Sequence, residues 1–123
     1  MIAARFDQIE QILYIHNDGS ISIDEIVNAA TDFIQNNKLP DTLRILEFAN
    51  AELIKAPIKE WKKFMDIPNV WIQHFSSVRH AVISHDPLIV ASVILFGLKN
   101  NQFNYPLNIF STEAAARQWL SEN

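Results

Sequence analysis

Apolar residues recur along this chain in two periods, one of two residues and one of three to four. The switches between them predict the elements. Ile12 to Ile15 reads as a strand, Ile2 to Phe6 as its hairpin partner turning around Asp7-Gln8, and Asn17-Asp18-Gly19 as the turn that follows. Ser22-Ile23-Asp24-Glu25 is a Ser-x-x-Glu capping box. Behind it Ile23, Ile26, Val27, Ala30, Phe33 and Ile34 fall on one helical stripe, predicting a helix from about Ile23 to Gln35 that Asn36-Asn37 and Pro40 end. In the next segment, Leu43, Ile45 and Ala49 point one way and Leu46 and Phe48 the other. A strand apolar on both faces is covered on both, so Leu43 to Ala49 is predicted to be central.

The second half of the chain repeats the alternation. Helical spacing runs from about Ile58 to Phe75 with an interruption expected near Pro68. Val78 to Ser84 is a strand with Val78 and Val82 on one face and Ala81 and Ile83 on the other. Asp86-Pro87 opens a helix, Leu88 to Leu98, with Asp as cap and Pro at the first position, where no amide donor is needed. Leu107 to Phe110 is a short strand, and Ser111-Thr112-Glu113 caps a last helix through Trp119 and Leu120. The order β-β-α-β-α-β-α-β-α predicts an α/β domain with helices packed over a sheet.

Composition narrows the picture. At 123 residues, 49% hydrophobic, with 2 glycines and no cysteine, the chain is one domain, 1–123, with an ample core and no thiol chemistry. A net charge of −4 argues against a general nucleic-acid binder. Arg5, Asp7 and Glu10 break the apolar run a signal peptide needs. The greasiest stretch, Leu88 to Leu98, would be about 16 Å long as a helix, short of a bilayer core. A cytoplasmic location is the expectation.

Candidate chemistry is sparse. His16, His74, His80 and His85 show neither a His-x-His nor a His-x-x-x-His pair, so no metal site is expected. Ser84-His85-Asp86 carries the letters of a hydrolytic triad, but adjacent residues cannot normally form one; Ser84 as a strand end and Asp86 as a helix cap is the better reading. Gly19 and Gly97 alone cannot build a phosphate cradle. Lys55, Lys59, Lys62 and Lys63 are offset by Glu52, Glu60 and Asp66 and read as a solvated face. Glu47 stands out within an apolar strand, on the face of Leu43, Ile45 and Ala49. If buried it needs a partner or a raised pKa, and Arg79 on the neighbouring strand could be that partner; the commoner reading is a strand-end Glu reaching solvent or an arginine. No cofactor and no catalytic residue is assigned, and no enzyme is expected.

Leu88 to Leu98 is apolar nearly all the way round. A helix on a sheet needs one apolar stripe, and leaving three large side chains wet forgoes roughly 5–9 kcal/mol. A second copy of the chain, another helix of the same domain, or an apolar ligand should cover it.

Three stretches carry a family resemblance. Leu107-Asn108-Ile109-Phe110-Ser111-Thr112-Glu113-Ala114-Ala115-Ala116-Arg117-Gln118-Trp119-Leu120 resembles the C-terminal signature of the SpoIIAA-like group of small STAS-related domains. Ser77-Val78-Arg79-His80-Ala81-Val82-Ile83 is similar to its strand after the long middle helix, and Ile21-Ser22-Ile23-Asp24-Glu25 to its turn into the first helix. The resemblance implies a mixed sheet of four or five strands covered by helices, often in dimers. Relatives include anti-sigma-factor antagonists, which work by protein–protein contact, and the fold is compared with CRAL-TRIO lipid-transfer domains, which hold apolar ligands. Phosphoregulated antagonists carry a Ser-rich turn after the central strand. The matching turn here, Phe48-Ala49-Asn50-Ala51-Glu52, has no hydroxyl, so that switch is absent if the alignment holds.

Two functions follow as expectations. The first is a non-enzymatic interaction domain, a homodimer or the binder of a protein partner, with contacts at Val90, Val93 and Ile94 and at Trp61 and Trp71. The alternative is a carrier or sensor of a lipid or fatty acid held between helices and sheet, lined by Trp61, Phe64, Trp71, Val90 and Ile94.

Overall fold

The computed structural model describes residues 1–50, 52–53, 66–87, 89–91, 93–94 and 105–122. The elements are β1 (Ile2–Asp7), β2 (Ile12–Asn17), β3 (Ser20–Ile21), α1 (Ile23–Asn36), β4 (Thr42–Ala49), β5 (Glu52–Leu53), α2 (Asp66–Ile72), β6 (Ser77–Ile83), β7 (Leu107–Phe110) and α3 (Glu113–Leu120). Residues 87, 89–91 and 93–94 are helical. The lysine group 55, 59, 62 and 63, together with Trp61 and Phe64, lies outside the described residues.

Five strands form one sheet in the order β1-β2-β4-β6-β7. β1 is antiparallel to β2, and the other neighbours run parallel, so the sheet is mixed and β4 is its centre, as its two-faced apolar pattern predicts. The hairpin turn is longer than Asp7-Gln8. It spans residues 8–11 because Asp7 Oδ1 accepts from the amides of Ile9 and Glu10, and Gln11 takes φ +59° to rejoin β2. β3 and β5 form a separate parallel pair of two residues each, too short to leave a periodic signal.

In-register pairing decides which side chains share a face. Leu13, Ile45 and His80 align across β2, β4 and β6, as do Leu43 and Val78 across β4 and β6. This face packs with Ala30 of α1 and Trp71 of α2 into one buried cluster that also takes in Tyr105. Tyr14, Leu46 and Ala81 align on the opposite face and are covered by Ala116 and Leu120 of α3.

The helix ends are set by side chains. Ser22 Oγ accepts from the Glu25 amide at 3.1 Å, and Thr112 Oγ1 from the Ala115 amide at 3.2 Å. At the far end of α1, Asn36 and Asn37 return their side-chain amides to the carbonyls of Asp32 and Phe33 in the last turn. Pro68 sits buried in the first described turn of α2, the expected helical stretch before Asp66 lies outside the described residues, and α2 ends at Ile72 rather than Phe75. Phe75 still packs beside Trp71, with ring centroids 6.2 Å apart.

Candidate functional site, a diagonal polar chain beneath the helices

Glu47 is the residue whose surroundings differ most from expectation. Arg79 is not its partner. Arg79 pairs in register with Arg44 and so lies on the opposite face of the sheet, where its guanidinium stacks over Trp119 and donates to the Trp119 carbonyl. Glu47 instead accepts from His80 Nε2 at 2.8 Å through Oε1, and from Asn17 Nδ2 at 2.7 Å through Oε2. His80 Nδ1 meets the Tyr105 hydroxyl at 2.6 Å.

Sheet geometry explains the line. Ile15 is opposite Glu47, Ile45 opposite His80, and His80 opposite Leu107. Asn17, Glu47, His80 and Tyr105 therefore step back two residues at each strand, staying on one face. They form a diagonal, and diagonal neighbours are within reach of long side chains. Asn17 is 3% exposed, His80 3% and Tyr105 3%, on a face otherwise built of Leu, Ile and Val. Buried polar groups need partners, and the three links supply most of them.

The hydrogen-bond roles follow from the acceptor-only carboxylate. His80 Nε2 must carry a hydrogen, and Asn17 must turn its nitrogen to Glu47, which leaves Asn17 Oδ1 facing elsewhere. That oxygen is buried without a hydrogen-bond partner. Burial, and secondarily the charge of Glu47, pushes the Tyr105 phenol well above its ordinary value of 10.0. A protonated phenol donates to a neutral imidazole and accepts from an imidazolium, so the His80–Tyr105 link survives either state of the ring.

This gives a pH expectation. A group whose folded-state pKa is raised contributes stability that is present below the unfolded value and lost as pH climbs towards the folded one. Unfolding free energy should therefore fall as pH rises past 10, and Tyr105→Phe should flatten that fall. Denaturant titrations of both proteins across alkaline pH check it. Equal slopes would remove Tyr105 as the cause.

Asn17 and Glu47 also line a cleft between the sheet and α1 and α2, walled by Ile15, Ile26, Ala30, Phe33 and Trp71 among others. Its cavity of about 30 Å³ suffices for one or two waters. A wider, shallow groove of about 270 Å³ shares Ile2, Ala4, Ala29 and Phe33 with it and adds Asp32, Asn36 and Asn37. Among the described residues, no three His, Asp or Glu side chains converge as metal ligands. Ser84 is buried immediately after β6, its hydroxyl accepts from the Asp86 amide, and the Asp86 carbonyl accepts from Val90 in the first helical turn.

The contact residues named from sequence scatter. Trp71 is 2% exposed, a core residue that also lines the cleft. Val90 and Val93 are half-buried, and Ile94 is 54% exposed. Trp61 and Phe64 lie outside the described residues. Asn17 and Tyr105 were not legible as site residues, because each lies outside a clear apolar run. The available signal was a pair of polar residues, Glu47 and His80, each facing inward on neighbouring central strands.

No family model and no curated protein matches the chain. Among solved structures, it is similar over 98% of its length, and over 92% of the other chain, to an uncharacterized protein of the DUF3478 family from Shewanella loihica PV-4 with a SpoIIAA-like fold. The TM-score is 0.61 at 13% identity, which speaks to fold and not to activity. The mixed five-stranded sheet, its helical cover and this likeness together give the chain a SpoIIAA-like fold.

Proposed function

We propose that this is a non-enzymatic, cytoplasmic interaction module of the STAS-like type that works by protein–protein contact, with a second copy of the chain as its partner. The observation that carries the reading is the exposure of Ile94, 54%, beside half-buried Val90 and Val93. Positions 90, 93 and 94 fall on one side of a helix. They form an apolar surface that one copy of the fold leaves partly wet, and a self-complementary two-fold contact is the simplest way to cover it. The turn after β4 carries Asn50 where phosphoregulated relatives are Ser-rich, so the contact here is constitutive rather than gated by phosphate. Among the described residues, no helix is long and apolar enough to cross a membrane.

Sedimentation equilibrium of the wild type and of Ile94→Asp tests this. The wild type is expected to be dimeric. The variant should be monomeric with an unchanged far-UV spectrum, because a carboxylate in an apolar contact costs several kcal/mol while at a half-exposed position it leaves the fold intact. A wild type that stays monomeric at its highest soluble concentration, or a variant that dimerises equally well, overturns the proposal.

A further inference from the structure

We infer that the outer edge of β1, with the groove between it and α1, is a docking site for an extended basic peptide that adds to the sheet as a sixth strand. The edge is open. β1 has β2 on one side and, among the described residues, no strand on the other. Met1 and Asp18 exchange both main-chain hydrogen bonds. The alternation of an antiparallel ladder then turns Ala3, Arg5 and Asp7 towards β2 and leaves the N–H and C=O groups of Ile2, Ala4 and Phe6 pointing outward. Edges are commonly blunted by proline, lysine or a bulge, and β1 has none of these. Its one cation, Arg5, lays its guanidinium over the Tyr14 ring, 4.2 Å from the centroid, and Ala3 and Ala4 are exposed.

The chemistry selects the occupant. A row of alternating donors and acceptors is matched by another extended main chain, as in strand addition to a sheet edge. Residues of the incoming strand directly opposite Ile2, Ala4 and Phe6 place their side chains on the α1 side, because opposite residues of a ladder share a face. The groove of about 270 Å³ receives them there, with Ile2, Ala4, Ala29 and Phe33 as apolar walls and Asp32 and Asn36 beside them. Asp32 is exposed and forms no ion pair among the described residues. The incoming residues that face α1 are therefore compact apolar ones with a lysine or arginine among them to meet Asp32. A second copy of β1 fits less well. It would bring its own α1 alongside this one, and α1 carries Asp24, Glu25 and Asp32 with no lysine or arginine.

The test is an amide-resolved NMR titration of the wild type with the capped peptide acetyl-Thr-Val-Thr-Lys-Thr-Val-Thr-amide, whose Val, Lys and Val share one face when extended. Saturable shifts and slowed hydrogen exchange are expected at the Ile2, Ala4 and Phe6 amides. The same peptide N-methylated at Val, Lys and Val keeps every side chain but loses the donors that meet β1, and it should bind about tenfold more weakly or worse. Asp32→Lys, a change at an exposed position, should weaken binding about fivefold, and replacing the peptide's Lys by Glu should restore it. Ile94→Asp should bind as the wild type does, since Ile94 lies between β6 and β7, away from the β1 edge. No saturable shift at β1 would mean a closed edge. Binding that survives N-methylation would reduce the effect to side-chain adsorption, and binding unchanged in Asp32→Lys would remove the acidic selection. Protection of the Ile2, Ala4 and Phe6 amides that grows with protein concentration in the absence of peptide would give the edge to a second copy. Each of these results overturns the proposal.

Discussion

Glu47→Ala is expected to lower the unfolding free energy by about 2–6 kcal/mol, since each of two buried donors left without its acceptor costs about 1–3 kcal/mol. The substitution deletes the acceptor for two buried donors at once, His80 Nε2 and Asn17 Nδ2. Both donors are shielded from bulk water, His80 and Asn17 each being 3% exposed. The loss is a large fraction of a small domain's total stability, about 5–15 kcal/mol. The contrast is Glu113→Ala, which breaks an exposed pair with Arg117 on α3 and should cost no more than about 1 kcal/mol. Urea unfolding of the two variants beside the wild type measures both. A Glu47→Ala loss as small as that of Glu113→Ala would mean that the diagonal chain contributes little to the fold.

Ile45→Ala should cost about 2–5 kcal/mol, and Ile45→Val only about 0.5–1.5 kcal/mol. Ile45 is 0% exposed at the middle of the central strand, in register with Leu13 on one side and His80 on the other. It belongs to the cluster that includes Trp71 and Ala30 from the two covering helices. Truncation opens a void between sheet and helices, and the flanking strands β2 and β6 cannot easily close in, since each is itself paired on both sides. The same unfolding experiment reads it. If Ile45→Ala costs no more than Ile45→Val, the sheet face is loosely packed and can collapse around the missing atoms.

Much of this architecture could be read from residue order. The two-faced apolar run of β4 placed it at the centre, and Ser22 and Thr112 marked helix starts that their hydroxyls do cap. Alternation on β6 correctly put Val78 and Val82 on one face, and His80 shares that face by the same count. What alternation cannot supply is the stagger between parallel strands, because their connections are long and set no register. Without the stagger nothing says which face of β6 meets Glu47, and Arg79, the expected partner, sits on the wrong one. Tyr105 escaped for a different reason. It lies before the Pro106-led strand, where no periodic pattern says which way a side chain points. The four-residue hairpin turn was underestimated because its left-handed residue is Gln11 and not a glycine.

The diagonal from Asn17 to Tyr105 stitches three separate strands and the segment entering a fourth with side chains rather than with main-chain ladders. Shifting any one of these strands by a single residue would turn its member to the other face and break every link that member makes. The neighbours therefore cannot peel away one at a time at low cost. Amide protons of β2, β4 and β6 should exchange together, in a single concerted opening close to full denaturation, while β1 at the rim, which has no member in the diagonal, frays independently.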